Sequence, residues 1–329
     1  MKAIVCTQYG PPDALQFKEM AKPAPAANEV LIAIRAASAN PLDWRIMRGD
    51  PFFVRLAFGL RRPKLDILGS DFAGQVETVG KDVTQFQPGD EVFGAKGFAG
   101  GAFAEYICAR DEDLATKPAN VSFEQAAAVP IAALTALQGL RNKGRIQPGQ
   151  KVLVDGASGG VGTFAIQIAK SYGAEVTAVC STRNLEIARS IGADHVIDYT
   201  RENFTRSGKQ YDLILASNAR HSVFDYRRAL NPNGICVKAG GKPDLSGILQ
   251  DLLLAPILSR FGHKKSCGFI AKMNQSDLIL LRDLLETGKV VPVIDKRYPL
   301  SETAEALRYL ETGHAQGKVV IFVEHASDK

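Results

Sequence analysis

The 329-residue chain has little of what staples a fold, ligates a metal or spans a membrane. Its five cysteines (Cys6, Cys108, Cys180, Cys236, Cys267) are odd in number, far apart and include no Cys-x-x-Cys pair. That excludes a disulfide framework and a thiolate zinc cluster, and it fits a reducing cytoplasm. The histidines, His195, His221, His263, His314 and His325, are scattered over the later part of the chain, where isolated imidazoles serve surface or packing more often than metals. Like charges form no blocks: 40 basic and 35 acidic residues are interspersed for a formal charge of +5, so no nucleic-acid arm is expected. Long apolar runs are also missing. The richest, "SGILQDLLLAPILSRF" at 246–261, is broken by Asp251 and Pro256 and is too short for a bilayer. It reads as a helix covering a pocket, with an interfacial helix as the alternative. The N-terminal "MKAIVCTQYG" meets Gln8 too early for a signal-peptide core.

With 46% apolar residues, a chain of this length supports about two domains. Up to about residue 120 the signals are short strands and turns: "EVLIAIRAASA" (29–39), "GQVETVG" (74–80), the "QPGD" turn (87–90), "EVFGA" and "FAEYICA". That pattern predicts a β-rich domain. A helix follows over "SFEQAAAVPIAALTALQGL" (122–140), and then strands and helices alternate from "KVLVDG" to "GICVKAG", as in a parallel sheet with helices on both faces. Later come strands at "CGFIA", "VVPVID" and "KVVIFV" and helices at "DLILLRDLLETG" and "SETAEALRYLETG", with the last strand expected to return to the first domain.

"VDGASGGVG" (154–162) runs from a strand through glycines into a helix, which gathers free backbone N–H groups and the positive end of a helix dipole, a setting for a diphosphate. The hexad 157–162 reads A-x-G-x-x-G. Gly159 allows close backbone approach and Gly162 close packing of helix on strand, so Ser158, Gly159, Gly160 and Val161 are the expected cofactor contacts. A glycine-rich turn without a ligand is the competing reading. The second strand, "EVTAVC", ends in Ser181, Thr182, Arg183 and Asn184, with no acid for a ribose 2′-hydroxyl. Hydroxyls and a guanidinium there suit a 2′-phosphate, so NADPH is expected over NADH. Tyr199, ending "HVIDY", closes over the phosphate or adenine or is a half-buried sheet-end tyrosine.

Several stretches together carry a family resemblance: "NPLDWRIMRG" (40–49), "GSDFAGQVETVG" (69–80), "FQPGDEVFG" (86–94), "GAFAEY" (101–106), "AAAVPIAALTALQGL" (126–140), "GASGGVG" and "GKVV" (317–320). Over almost its entire length the chain resembles the zinc-independent medium-chain dehydrogenase/reductases of the quinone oxidoreductase-like branch. The resemblance implies an α/β protein. A GroES-like β-rich catalytic domain (1–124, completed by 266–329) stands beside a Rossmann doubly wound domain (125–265), with NADPH in the cleft. It implies reduction of quinones or of the C=C bond of α,β-unsaturated carbonyls, a small electrophilic substrate as partner, and leaves a homodimer open.

Zinc-dependent relatives carry a cysteine where this chain reads "SAN" and Gly-His-Glu where it reads Gly69, Ser70, Asp71, so no metal is expected. The family motif at 40–45 brings hydrogen-bond donors to an oxyanion, which makes Asn40 and Arg45 the catalytic candidates; the competing reading is a turn with Asn40 capping a helix. Arg45 stands where relatives carry lysine; it keeps the charge but is a poorer proton donor, which leaves solvent to supply the proton. Thr135, Gly240, Gly241, Phe269 and Lys318 resemble family positions at the nicotinamide and its ribose. The stretch "LILASNARHS" (213–222) departs from the family, and the insert 50–66 lines a substrate mouth, makes a subunit contact or is a solvated loop. A non-catalytic NADPH-binding interaction protein and a zinc-independent alcohol dehydrogenase are the alternatives.

Overall fold

The computed structural model describes residues 1–241 and 263–325; the helix expected over 246–261 lies outside the described residues. The chain divides into unit 1 (1–131, 272–288 and 292–329) and unit 2 (132–271 and 289–291).

In unit 1, β1 (Lys2–Val5) pairs antiparallel with β2 (Gln16–Glu19). A seven-stranded sheet is formed from β3 (Glu29–Ala39), β4 (Asp71–Val79), β5 (Glu91–Ala95), β6 (Tyr106–Arg110), β7 (Leu114–Thr116) and two strands from the far end of the chain, β14 (Ile294–Pro299) and β15 (Lys318–Phe322). Its order is β14-β15-β3-β4-β5-β7, with β6 also on β3. The last strand therefore returns to the first domain: β15 runs antiparallel to β3, Val319 opposite Ala39. Ile32, Ile34, Met47, Phe72, Phe103, Val319 and Ile321 share one buried cluster. Two helices bear on the site, α1 (Pro41–Arg48), directly after β3, and the short α2 (Phe53–Phe58).

The helix expected over 122–140 is broken into α3 (Phe123–Ala127) and α4 (Pro130–Gln138), because Pro130 has no N–H and fits only at a helix start. Ile131 donates its N–H to Asp71 Oδ1 at 3.0 Å.

In unit 2, six strands form a parallel sheet: β8 (Lys151–Asp155), β9 (Glu175–Cys180), β10 (His195–Asp198), β11 (Tyr211–Ala216), β12 (Leu230–Lys238) and β13 (Lys265–Gly268). Their order, β10-β9-β8-β11-β12-β13, is the doubly wound 3-2-1-4-5-6 arrangement, whose ligand crevice lies at the carboxyl ends of the strands where the order reverses. Here that point falls between β8 and β11. The central strands are apolar on both faces, as covered parallel strands must be; Val152, Leu153, Val154, Leu213, Ile214 and Leu215 are all fully buried. Helix α5 (Gly160–Ser171) follows β8, α6 (Leu185–Ser190) follows β9 and α7 (Val223–Arg228) follows β11.

The strand expected at "VVPVID" begins only at Ile294. The Gln167 side chain on α5 holds the Val291 backbone at both its N–H (2.7 Å) and its carbonyl (3.0 Å), groups that a ladder would otherwise pair. Two further helices, α8 (Gln275–Glu286) and α9 (Thr303–Glu311), complete unit 1. Among the described residues no helix is long and apolar enough to cross a membrane.

Candidate active site

Unit 1 buries a set of charged and polar side chains at the junction of β3, β4 and β15. Asn40 closes β3 and precedes α1; its N–H donates to Asp43 Oδ2 at 2.7 Å, as a capping box requires. Its side-chain Nδ2 donates to Asp71 Oδ2 (2.9 Å) and toward the Ser38 carbonyl (3.5 Å), while its Oδ1 accepts from Lys318 Nζ (2.8 Å). Lys318 also lies 3.2 Å from Asp71 Oδ2, and Ser38 Oγ donates to the same oxygen at 2.9 Å. Lys318 is 3% exposed and Asp71 0%, so the ammonium and the carboxylate neutralise each other out of water. Beside them, Ser70 Oγ is buried with no hydrogen-bond partner.

Burial pushes the Asp43 carboxyl up to about 7; the nearby Asp71 charge adds to this, while the Asn40 and Gly69 N–H groups and Lys318 oppose it. Folded Asp43 therefore holds a proton that the unfolded chain has released between about pH 4 and 7, and its contribution to stability falls as pH rises through that window. Asp43→Asn keeps an acceptor for the Asn40 N–H and removes the titration. Its Tm is expected to vary less between pH 5 and 8 than that of the wild type and to exceed it at pH 8; parallel pH profiles of the two melts would refute the assignment.

Arg45, half-buried on α1, sits 5.3 Å from the Trp44 ring, and burial lowers its pKa while Asp50 opposes that shift. The insert forms α2 and leaves Phe52, Phe53 and Leu56 exposed. Ala57, Phe58, Lys64, Leu65 and Phe98 line a recess of about 370 Å³ there, and none of the candidate site residues contributes to it.

Unit 2 carries the cofactor candidates. Gly156 turns the chain out of β8 at φ 81°, and a Cβ on Gly162 would meet the Gly156 carbonyl oxygen at 2.2 Å, so α5 seats against the turn only because residue 162 is glycine. A Cβ on Gly159 would find only that same oxygen, at 3.5 Å. Among the described residues no side chain or backbone atom crowds position 159, so the turn is open to a ligand approaching the backbone. Ser158, Gly159, Gly160 and Val161 are half-buried at the start of α5, whose N-terminal N–H groups point toward this end of the sheet.

Ser181, Arg183 and Asn184 follow β9 as expected, Arg183 exposed and Asn184 buried. Asn184 Nδ2 donates to Ser158 Oγ (2.9 Å) and Ser181 Oγ (3.1 Å), joining the two strand ends. Tyr199 is 53% exposed, with its N–H on the Cys180 carbonyl. On the other side of the switch point, the single proton of Ser217 Oγ is shared between the Asp155 (2.9 Å) and Gly156 (3.1 Å) carbonyls, and Ala219 bridges Gly241. A Cβ on Gly240 would lie 2.5 Å from the Ser217 carbonyl oxygen, so Gly240 and Gly241 hold this loop against β11. Thr135 is half-buried on α4, and Phe269 lies just past β13, its ring against Gly139.

Two acids escaped the sequence reading. Asp198 ends β10 in register with Cys180, so a carboxylate does stand beside the end of β9. It accepts from the hydroxyls of Thr182 and Thr200 and from the Thr200 N–H, and these bonds, Thr182 first, hold its carboxyl below the usual range. Arg201 lies 3.5 Å from it. Asp155, at the end of β8, takes the Tyr226 hydroxyl at 2.6 Å, and burial raises its pKa. His221, from the departing stretch 213–222, packs edge-on against Tyr226 and Phe204.

Residues 26–119 match the alcohol dehydrogenase GroES-like domain and residues 191–321 the zinc-binding dehydrogenase family. The chain is 35% identical to a chloroplastic quinone-oxidoreductase, QR1, of Triphysaria versicolor, with 98% of each covered. It belongs to the quinone oxidoreductase-like medium-chain dehydrogenase/reductases. An NADPH-dependent alkenal/one oxidoreductase of Arabidopsis thaliana is 36% identical over 98% of this chain and 79% of that protein. The solved quinone oxidoreductase of Coxiella burnetii superposes with a TM-score of 0.86 at 32% identity, covering 98% and 99%.

Within this oxidoreductase family, the donor set decides whether zinc belongs in this member. The two stretches that the resemblance sets against zinc ligands, Ser38-Ala39-Asn40 and Gly69-Ser70-Asp71, offer hydroxyls, an amide and a carboxylate but no thiolate or imidazole. Asn40 Oδ1 and Asp71 Oδ2 already share the Lys318 ammonium, so a divalent ion would be set against a fixed positive charge. The residues present do not fit zinc.

Proposed function

We propose that the protein is an NADPH-dependent oxidoreductase that reduces quinones or the C=C bond of α,β-unsaturated carbonyls by hydride transfer without zinc, in a reducing cytoplasm. The observation that carries the cofactor half is the Gly159 turn, sterically open and placed at the switch point of a 3-2-1-4-5-6 sheet. The acceptor half rests on relatives named for quinones and alkenals/ones. When bound, NADPH supplies the hydride.

The chain's own residues do the rest. The α5 N-terminus and Gly159 receive the diphosphate, and Arg183 receives the 2′-phosphate. Gly240, Gly241, Thr135 and Phe269 serve the nicotinamide end. Arg45 is the cation for the developing oxyanion, and solvent supplies the proton. Asn40 enters as a positioning residue, since its Nδ2 already faces Asp71 and the Ser38 carbonyl. Lys318 likewise acts through Asn40 and Asp71, its ammonium turned into that buried set.

Purified protein with NADPH and a panel of quinones, enals and enones, followed at the nicotinamide absorbance, tests the reading. Turnover of at least one acceptor is expected and should survive dialysis against a strong chelator. No turnover across the panel would leave a binding protein, and loss of turnover restored by zinc would overturn the metal-free assignment. NADPH should bind at least about tenfold tighter than NADH, and Arg183→Ala should erode that preference, since a charge-assisted hydrogen bond contributes roughly 1.5–3 kcal/mol.

A further inference from the structure

Asn184 is 3% exposed, and its amide is used unevenly. Both Nδ2 protons go to serine oxygens, Ser158 Oγ in the glycine turn and Ser181 Oγ at the end of β9, while its Oδ1 is buried with no partner. The reversed amide would let both hydroxyls donate into Oδ1 but would strand two buried N–H donors where now a single acceptor is left. A serine hydroxyl has one proton to give. Each oxygen here accepts from Asn184, which leaves the protons of Ser158 and Ser181 for a ligand.

Two O–H donors with the exposed Arg183 beside them in sequence suit an oxyanion, which takes donors only; for a ribose diol each serine oxygen keeps a single lone pair, a weaker match than a carboxylate. The carboxylate that could take a diol, Asp198, is bonded to Thr182 and Thr200 with Arg201 close by. We infer that Asn184 is a specificity-determining positioning residue: by donating to Ser158 and Ser181 it turns both hydroxyls into donors for the 2′-phosphate of NADPH. The inference rests on reading unit 2 as an NADPH site. It assigns the discrimination to a neutral buried amide that has no need to touch the phosphate itself.

The substitution that tests it is Asn184→Asp, of the same size, whose carboxylate would accept both serine protons and turn the hydroxyls inward. Dissociation constants of NADPH, NADH, 2′,5′-ADP and 5′-AMP are measured by fluorescence and calorimetric titration on the full chain. For Asn184→Asp, NADPH and 2′,5′-ADP are expected to weaken about 100-fold and NADH and 5′-AMP less than about fivefold, reversing the preference. Asn184→Leu should weaken NADPH about tenfold with NADH unmoved. If the wild type binds both cofactors equally, the NADPH reading itself fails. If it prefers NADPH and both variants keep the wild-type ratio, the role of Asn184 fails alone. Equal losses for the two cofactors would mark a purely structural residue and also overturn it. Should Asn184→Asp not fold, Ser158→Ala and Ser181→Ala decide: each should cost NADPH about tenfold and NADH almost nothing, and equal losses would refute the inference.

Discussion

Replacing Lys318 by Met is expected to destabilise the protein as strongly as truncating a large core side chain. The ammonium is buried beside a fully buried carboxylate, and removing one partner of such a pair leaves an uncompensated charge, typically a loss of 3–5 kcal/mol. A fall in Tm of about 4–7 °C follows for a chain of this length. The loss is not confined to the pair, because Lys318 also fixes Asn40 Oδ1, and Asn40 in turn sets the start of α1 through Asp43. Activity should drop with NADPH binding little changed, since the cofactor candidates of the glycine turn belong to unit 2. Asp71→Asn in the Lys318→Met background removes the orphaned charge while keeping an acceptor for the Ile131 N–H. The double variant should therefore be more stable than Lys318→Met alone. If the two substitutions simply add, the pair is not the source of the effect.

That cluster was hidden from the sequence for a reason of chain distance. "NPLDWR" and "GSD" are legible as motifs, but the cation that joins them lies 278 residues from Asn40 and 247 from Asp71, and only the antiparallel placement of β15 on β3 brings it there. The resemblance sets Lys318 at the cofactor; the contacts of its ammonium with Asn40 and Asp71 come from the pairing of distant strands. The glycine turn was legible because everything that defines it is local: strand, turn, helix and next strand follow within 27 residues, from Val154 to Cys180. Asp198 shows the limit of that locality. The sequence pattern marks only the end of the second strand, whereas parallel pairing sets the end of the third beside it, Asp198 against Cys180. The misplaced strand at 290–293 has a similar origin, since Gln167, more than 120 residues away in sequence, captures the backbone of Val291.

The two glycines of the same motif should separate in their effects. Gly162→Ala places a methyl group 2.2 Å from the Gly156 carbonyl oxygen, and backbone cannot swing aside as a side chain can, so α5 must lift from the turn. Overpacking of this kind costs about 1–3 kcal/mol, or several degrees of Tm, and cofactor binding should fall with it. Gly159→Ala meets only a 3.5 Å contact, and its φ of −80° suits alanine. The fold should lose less than about 1 kcal/mol, mainly the poorer helix cap. Cofactor affinity should still fall by about tenfold or more, equivalent to about 1.4 kcal/mol, because the methyl group stands where the diphosphate approaches the backbone. Melting curves and NADPH titrations of both variants decide the matter. Unchanged NADPH affinity in Gly159→Ala would mean that the turn is open for no ligand, and the diphosphate site would have to be sought elsewhere on the sheet.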